Sequence, residues 1–246
     1  MPEPALRAAV GVTAAPGRAR VRLSAAVGAT LVPRLLGRTE NSARVALVAG
    51  GAMILGGDTI SLDIHVGAGC LLELSEVGGT VVYNADGVES WWTTRIVLDA
   101  GARLVWRGLE TVISDGADLH RRTDVTMAES ARAVIREVTV FGRSGERGGR
   151  LLLESAVTCG DTPLLVESLD VRGDHPQPGV LGGHRVMESI LLAGAGDSAP
   201  SDIDTSDVMD LAGPGALARH LGEHLHESPL DPTWDRWTRT LMEDNT

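Results

Sequence analysis

Three copies of a short pattern constrain this chain more than any other feature. Gly67-Ala-Gly-Cys-Leu-Leu-Glu-Leu74, Asp99-Ala-Gly-Ala-Arg-Leu-Val-Trp106 and Ala128-Glu-Ser-Ala-Arg-Ala-Val-Ile135 begin 32 and then 29 residues apart. In each copy a strand ends at a turn of small residues and a second strand begins. A period near 30 built from paired strands matches one coil of a β-solenoid. A β-sandwich of hairpins is the rival architecture.

Short strands broken by Gly, Asp and Ser run from about residue 20 to 192. In Thr59–Val66, Ile60, Leu62, Ile64 and Val66 alternate with Ser61, Asp63 and His65, the period of a strand with one buried face. Cys70–Val77, Arg103–Ile113, Ala131–Phe141, Arg150–Thr158, Leu164–Val171 and Val186–Ala193 are apolar in both parities, as expected of stacked sheets. The expected organisation is a mainly β, β-helical stacked-sheet domain over 1–196, a Gly/Ser/Asp/Pro-rich linker over 197–212, and C-terminal helices over 213–246 packed on the β core. The first helix is placed by Pro214 and the 3–4 spacing of Ala216, Leu217, His220, Leu221 and Leu225. The second runs from Asp231 or Pro232 to Met242, with Trp234, Trp237 and Leu241 on one face. The two tryptophans either anchor that helix to the core or form a partner-binding surface.

All 22 basic residues are arginine, which excludes P-loop, Schiff-base and Ser-x-x-Lys chemistry. The net charge of −11 argues against sequence-independent nucleic-acid binding. The charge is uneven: residues 1–39 carry six Arg and one Glu, and residues 197–246 carry eleven acids and three Arg. Such asymmetry suits docking at different faces. Two cysteines, Cys70 and Cys159, make no disulfide framework and read as buried thiols. The Ala8–Gly17 stretch is too weakly hydrophobic for a signal peptide. The longest uncharged run, Val45–Gly57, falls short of a membrane span. A cytoplasmic location without membrane contact is expected.

His220-Leu-Gly-Glu-His224 matches the inverted zinc-peptidase pattern, which would set both imidazoles on one helix face. It lacks a third protein ligand, and a solvated helix face is the expected reading. The carboxylates carry more. Glu76, Glu110 and Glu137 share strand parity with Leu72/Leu74, Leu104/Trp106 and Ala133/Ile135. Glu154 follows Leu151–Leu153, and Glu167 follows Leu164–Val166. Carboxylates within apolar strands must be paired, hydrated or metal-bound. They either reach solvent at strand ends, or pair with Arg107, Arg136 and Arg143, or line a polar interior route that passes a divalent cation by weak oxygen contacts.

Gly50-Gly-Ala-Met-Ile-Leu-Gly-Gly-Asp58 with Val66-Gly-Ala-Gly69, Leu109-Glu-Thr-Val-Ile113 with Asp115-Gly-Ala117, and Glu137 with Phe141-Gly-Arg143 occur in order. Pro163-Leu-Leu-Val-Glu167, Leu181-Gly-Gly183 and Leu191-Leu-Ala193 follow. This series, over roughly residues 20–195, resembles the urease accessory protein UreD (UreH) family. The resemblance implies a β-helical, non-enzymatic maturation factor that binds UreF, reaches the GTPase UreG through UreF, and docks on apo-urease. It implies no tightly bound cofactor and Ni²⁺ as transient cargo, for which Glu76, Glu110, Glu137 and Glu167 are the candidate route. A GTP-hydrolysing partner would also leave this chain no need of a P-loop. The alternatives are a β-solenoid carbohydrate-active enzyme using paired carboxylates, or a binding module built on the Trp helix. Aromatic residues at 3% leave few platforms for sugar stacking.

Overall fold

A computed structural model describes residues 6–51, 53–194 and 208–243. In chain order, β1 (Leu6–Thr13), β2 (Arg20–Ala25), β3 (Leu31–Arg38), β4 (Ser42–Ala49) and the short β5 (Met53–Ile54) come first. The central coils comprise β6 (Thr59–Val66), β7 (Leu71–Glu76), β8 (Thr80–Val82), β9 (Ser90–Leu98), β10 (Arg103–Ile113), β11 (Asp118–Met127), β12 (Arg132–Phe141) and β13 (Arg150–Cys159). β14 (Thr162–Arg172), β15 (Val186–Ala193), β16 (Val208–Asp210), β17 (Gly215–Gly222) and the helix α1 (Asp231–Glu243) complete the described chain.

Two sheets face each other. The seven-stranded sheet has the order β14-β13-β11-β9-β6-β1-β2, and the ten-stranded sheet is built on β16-β17-β15-β12-β10-β7-β4-β3. From β6 to β13, apart from the short β8, successive strands alternate between the sheets and pair in parallel with the strand one coil away. This is a solenoid, and the hairpin sandwich is set aside. The register reproduces the sequence repeat: Leu72 lies beside Leu104, 32 residues on, and Leu104 beside Ala133, 29 further. Antiparallel pairs finish both ends, β1 with β2 and β3 with β4 at one, β13 with β14 and β15 with β12 and β17 at the other.

The turn of each copy is the same. Cys70, Ala102 and Ala131 donate their N–H to the carbonyls of Gly67, Asp99 and Ala128 at 2.9–3.0 Å. Gly69 and Gly101 occupy this turn at φ of +65° and +68°, where a Cβ is disfavoured. Between the sheets, like residues stack along the coils: Ile64, Ile96, Val125 and Val157 on one sheet, and Leu74, Trp106, Ile135 and Leu191 on the other. Their burial supplies the core.

The C-terminal reading needs one correction. The segment expected to be a helix from Pro214 is the strand β17, which pairs with β15 inside the ten-stranded sheet. Its residues are buried on both faces: Leu217 reaches the cavity between the sheets, and Ala216 and Ala218 lie beneath α1. Such a strand is apolar in both parities and mimics helical spacing over a few residues. Of the expected linker, residues 197–207 lie outside the described residues, and Val208–Asp210 form β16 against β17. The second helix is present as α1. Its Trp234, Trp237 and Leu241 join Leu230 over Val105, Val134, Ile190 and Leu192 on the outer face of the ten-stranded sheet. Trp234 is 8% exposed and Trp237 1%, and both rings pack on the sheet and anchor the helix. Among the described residues, no helix is long and apolar enough to cross a membrane.

Candidate functional site

β11 alternates so that Leu119, Arg121, Thr123, Val125 and Met127 point between the sheets. The same coil stacking that aligns the apolar ladders sets Arg121 beside Trp92, and its guanidinium lies 4.7 Å from that ring's centroid. Arg121 is 4% exposed. One terminal nitrogen meets Glu137 Oε1 at 2.8 Å, and the other donates to Thr111 Oγ1 at 3.1 Å. Glu137 sits on the inward parity of β12 with Ile135, so this ion pair bridges the two sheets.

A second pair closes the same space. Arg219, inward on β17, grips Glu167 of β14 with two bonds of 2.7 Å and donates from Nε to Ser189 Oγ at 2.9 Å. The two pairs, with Thr123, Thr139 and Ser155, line a cavity of about 40 Å³ between the sheets. That is room for one or two waters among polar partners. Glu76 points inward at the end of β7, where its Oε2 accepts the Leu109 N–H at 2.9 Å. Burial pushes its carboxyl above the ordinary value, the Leu109 amide and the Arg121 charge pull it back, and the Glu137 charge adds to the rise.

Three of the four expected carboxylates, Glu76, Glu137 and Glu167, therefore face the interior, and Glu110 does not. Its register with β12 slips between Arg107 and Glu110: Gly108 and Leu109 together stand against the single residue Glu137, a bulge with one extra residue in β10. Before the bulge Leu104 and Trp106 point inward; after it Thr111 and Ile113 do, and Glu110 turns out. There it lines an outer groove of about 580 Å³ with Arg107, Arg136, Glu188, His224 and His226. At the groove's base the Arg136 Nε donates to Glu188, a carboxylate 1% exposed.

Glu137 and Glu167 are each paired with a guanidinium, and Glu76 is held by a backbone amide. Among the described residues, no three His, Cys, Asp or Glu side chains are grouped to hold a metal ion. The His220–His224 pattern is dismantled by β17: His220 lies within the strand, Glu223 and His224 follow it, and the His224 ring stacks on His226 at 5.3 Å. Glu154 accepts His120 Nε2 at 2.7 Å on the outer face of the other sheet. Cys70 and Cys159 are buried, and burial raises both thiols. Sequence reasoning named the wrong arginines: Arg136 pairs with Glu188 and Arg143 with Glu146, while the interior partners are Arg121 and Arg219. Arg121 was available from the alternation of Asp118–Met127, whereas Arg219 was hidden by the helical reading of its segment.

A sequence model of the family described as "UreD urease accessory protein" matches residues 5–228. The chain is 38% identical to urease accessory protein UreD 1 of Streptomyces griseus, over 85% of this chain and 83% of that protein. It is 37% identical to UreD 1 of Saccharopolyspora erythraea, over 83% of each. With UreD of Parafrankia sp. it shares 32% identity, over 87% of this chain and 88% of the relative.

Proposed function

The chain belongs to the UreD urease accessory protein family, and from that premise we propose that it is a non-catalytic scaffold of urease maturation in the cytoplasm. It binds UreF, engages UreG through UreF, and docks on apo-urease so that GTP hydrolysis by UreG accompanies nickel insertion. Ni²⁺ passes through it as cargo and is not held as a resident cofactor. The observation that carries the reading is that three carboxylates, Glu76, Glu137 and Glu167, are directed between the sheets of an apolar core, Glu137 and Glu167 into one cavity. Carboxylate oxygens bind a borderline cation more weakly than imidazole or thiolate, and passage needs weak contacts. Arg121 and Arg219 give Glu137 and Glu167 hydrogen-bond partners when no cation is present. A passing cation would take a guanidinium's place against Glu137 and Glu167, and the guanidinium would return behind it.

The test is co-expression of the chain with UreF and UreG, followed by affinity purification and comparison of soluble yield with the chain alone. Stable co-purification of all three, through UreF, is expected. A chain that is soluble by itself and ignores UreF would overturn the scaffold reading.

A further inference from the structure

Among the described residues, the first coil ends in two edge strands. β2 is the last strand of one sheet and β3 the last of the other. Between them opens a slot of about 440 Å³ walled by Leu23, Ala25, Val32, Pro33 and Leu35. Leu35 is 42% exposed and its neighbour Leu36 62%. An edge strand offers a row of backbone N–H and C=O groups to any strand that can pair with it. β3 carries Pro33, which has no N–H to give. β2 has no proline and is the better edge.

The charge around this slot is one-sided. Arg18, Arg20, Arg22, Arg34, Arg38 and Arg44 are all exposed, and among the described residues none has a carboxylate partner. Between residues 6 and 51 the only acid is Glu40. In a chain of net charge −11 such a concentration of positive charge selects an acidic partner.

Strand geometry says what the partner segment looks like. On β2, Val21 and Leu23 pair with Val12 and Val10 of β1 and pack on the core, while Arg20 and Arg22 face out. A strand added to β2 continues that alternation. Its inward residues extend the apolar layer beside Val21 and Leu23, and its outward residues meet Arg20 and Arg22. We propose that the β2 edge docks an extended segment of a partner protein in which acidic and aliphatic residues alternate. This goes beyond the maturation reading and stands or falls separately from UreF binding. An arginine fringe that only repelled second copies of the chain would bind no such segment.

The experiment is fluorescence anisotropy on the full chain, with a short labelled peptide alternating Glu and Val and its Lys–Val counterpart. The Glu–Val peptide should bind, more weakly as salt rises, and the Lys–Val peptide should not. The double variant Arg20→Glu/Arg22→Glu should weaken the Glu–Val peptide at least about tenfold and gain the Lys–Val peptide. Arg239→Glu, exposed on α1, should change neither. Thermal unfolding of both variants close to that of the parent would show that the fold is kept. No binding at low salt, or equal binding of the two peptides, would overturn the proposal. Sedimentation showing self-association that the double variant abolishes would overturn it in favour of a second copy as occupant.

Discussion

Arg121 on the seven-stranded sheet reaches Glu137 on the ten-stranded sheet at 2.8 Å, so one ion pair ties the two walls of the solenoid together. Removing either partner alone strands the other in a low-dielectric space, at a cost of about 3–5 kcal/mol. Arg121→Ala and Glu137→Ala should each lose that much in urea denaturation. The double variant Arg121→Met/Glu137→Leu should unfold within about 2 kcal/mol of the parent, because an apolar pair of similar volume refills the space. A double variant as unstable as the worse single one would refute this account.

The same double variant separates stability from transport. If the interior carboxylates carry nickel, it should fold yet slow the nickel loading of urease several-fold. Glu110→Gln, which alters only the outer groove, should leave loading unchanged. Impairment by Glu110→Gln alone would place the route outside the solenoid.

Glu76 predicts a pH dependence. Its folded carboxyl titrates above the ordinary 4.5, because burial penalises its charged form. Ionisation therefore costs more in the folded chain than in the unfolded one. Glu76 removes stability as pH rises from the unfolded value through the higher folded one, and restores it on acidification. Relative to Glu76→Gln, the parent should be less stable above that window, and the gap should close below it. Denaturation midpoints of the two proteins across this range check the sign; a gap that widens on acidification would contradict it.

Trp237 is the largest fully buried side chain of α1. Trp237→Ala should cost about 3–5 kcal/mol. Proteolysis should then cut within α1 before the β core is attacked. Equal resistance of helix and core would mean that the helix is held by other contacts.

Gly108 makes the bulge in β10 possible. A Cβ there would stand 2.5 Å from the Arg136 carbonyl oxygen of the neighbouring strand. Gly108→Ala should destabilise by about 1–3 kcal/mol through this overlap. Thermal unfolding tests it, and a neutral substitution would show that β12 can shift to make room.

The repeat was legible because the coil register copies its spacing: what recurs at 32 and 29 residues in sequence is what stacks in space. The inward direction of Glu76 and Glu137 followed from strand parity; Glu167 was singled out only by the apolar run before it, and its strand carries a register shift at Leu164. Glu110 was not legible, since a bulge shifts the phase without leaving a signature in residue type. β17 was misread because an Ala/Leu segment buried on both faces carries no period of two, and short buried strands and helices look alike. α1 was readable from the spacing of its tryptophans. Arg121 and Arg219 escaped notice because a carboxylate in an apolar strand announces a problem, while the residue that solves it lies in another strand far along the chain.

Stacked coils touch only the coils above and below them. Opening can therefore begin where a coil has a neighbour on one side only, and must reach the centre by passing through intermediate coils. Amide hydrogens of β9 and β10 should exchange slowest, those of β2 and β3 sooner, in a graded order along the solenoid axis. The accessory chain would then yield at its ends under the pull of assembly while its middle keeps its register.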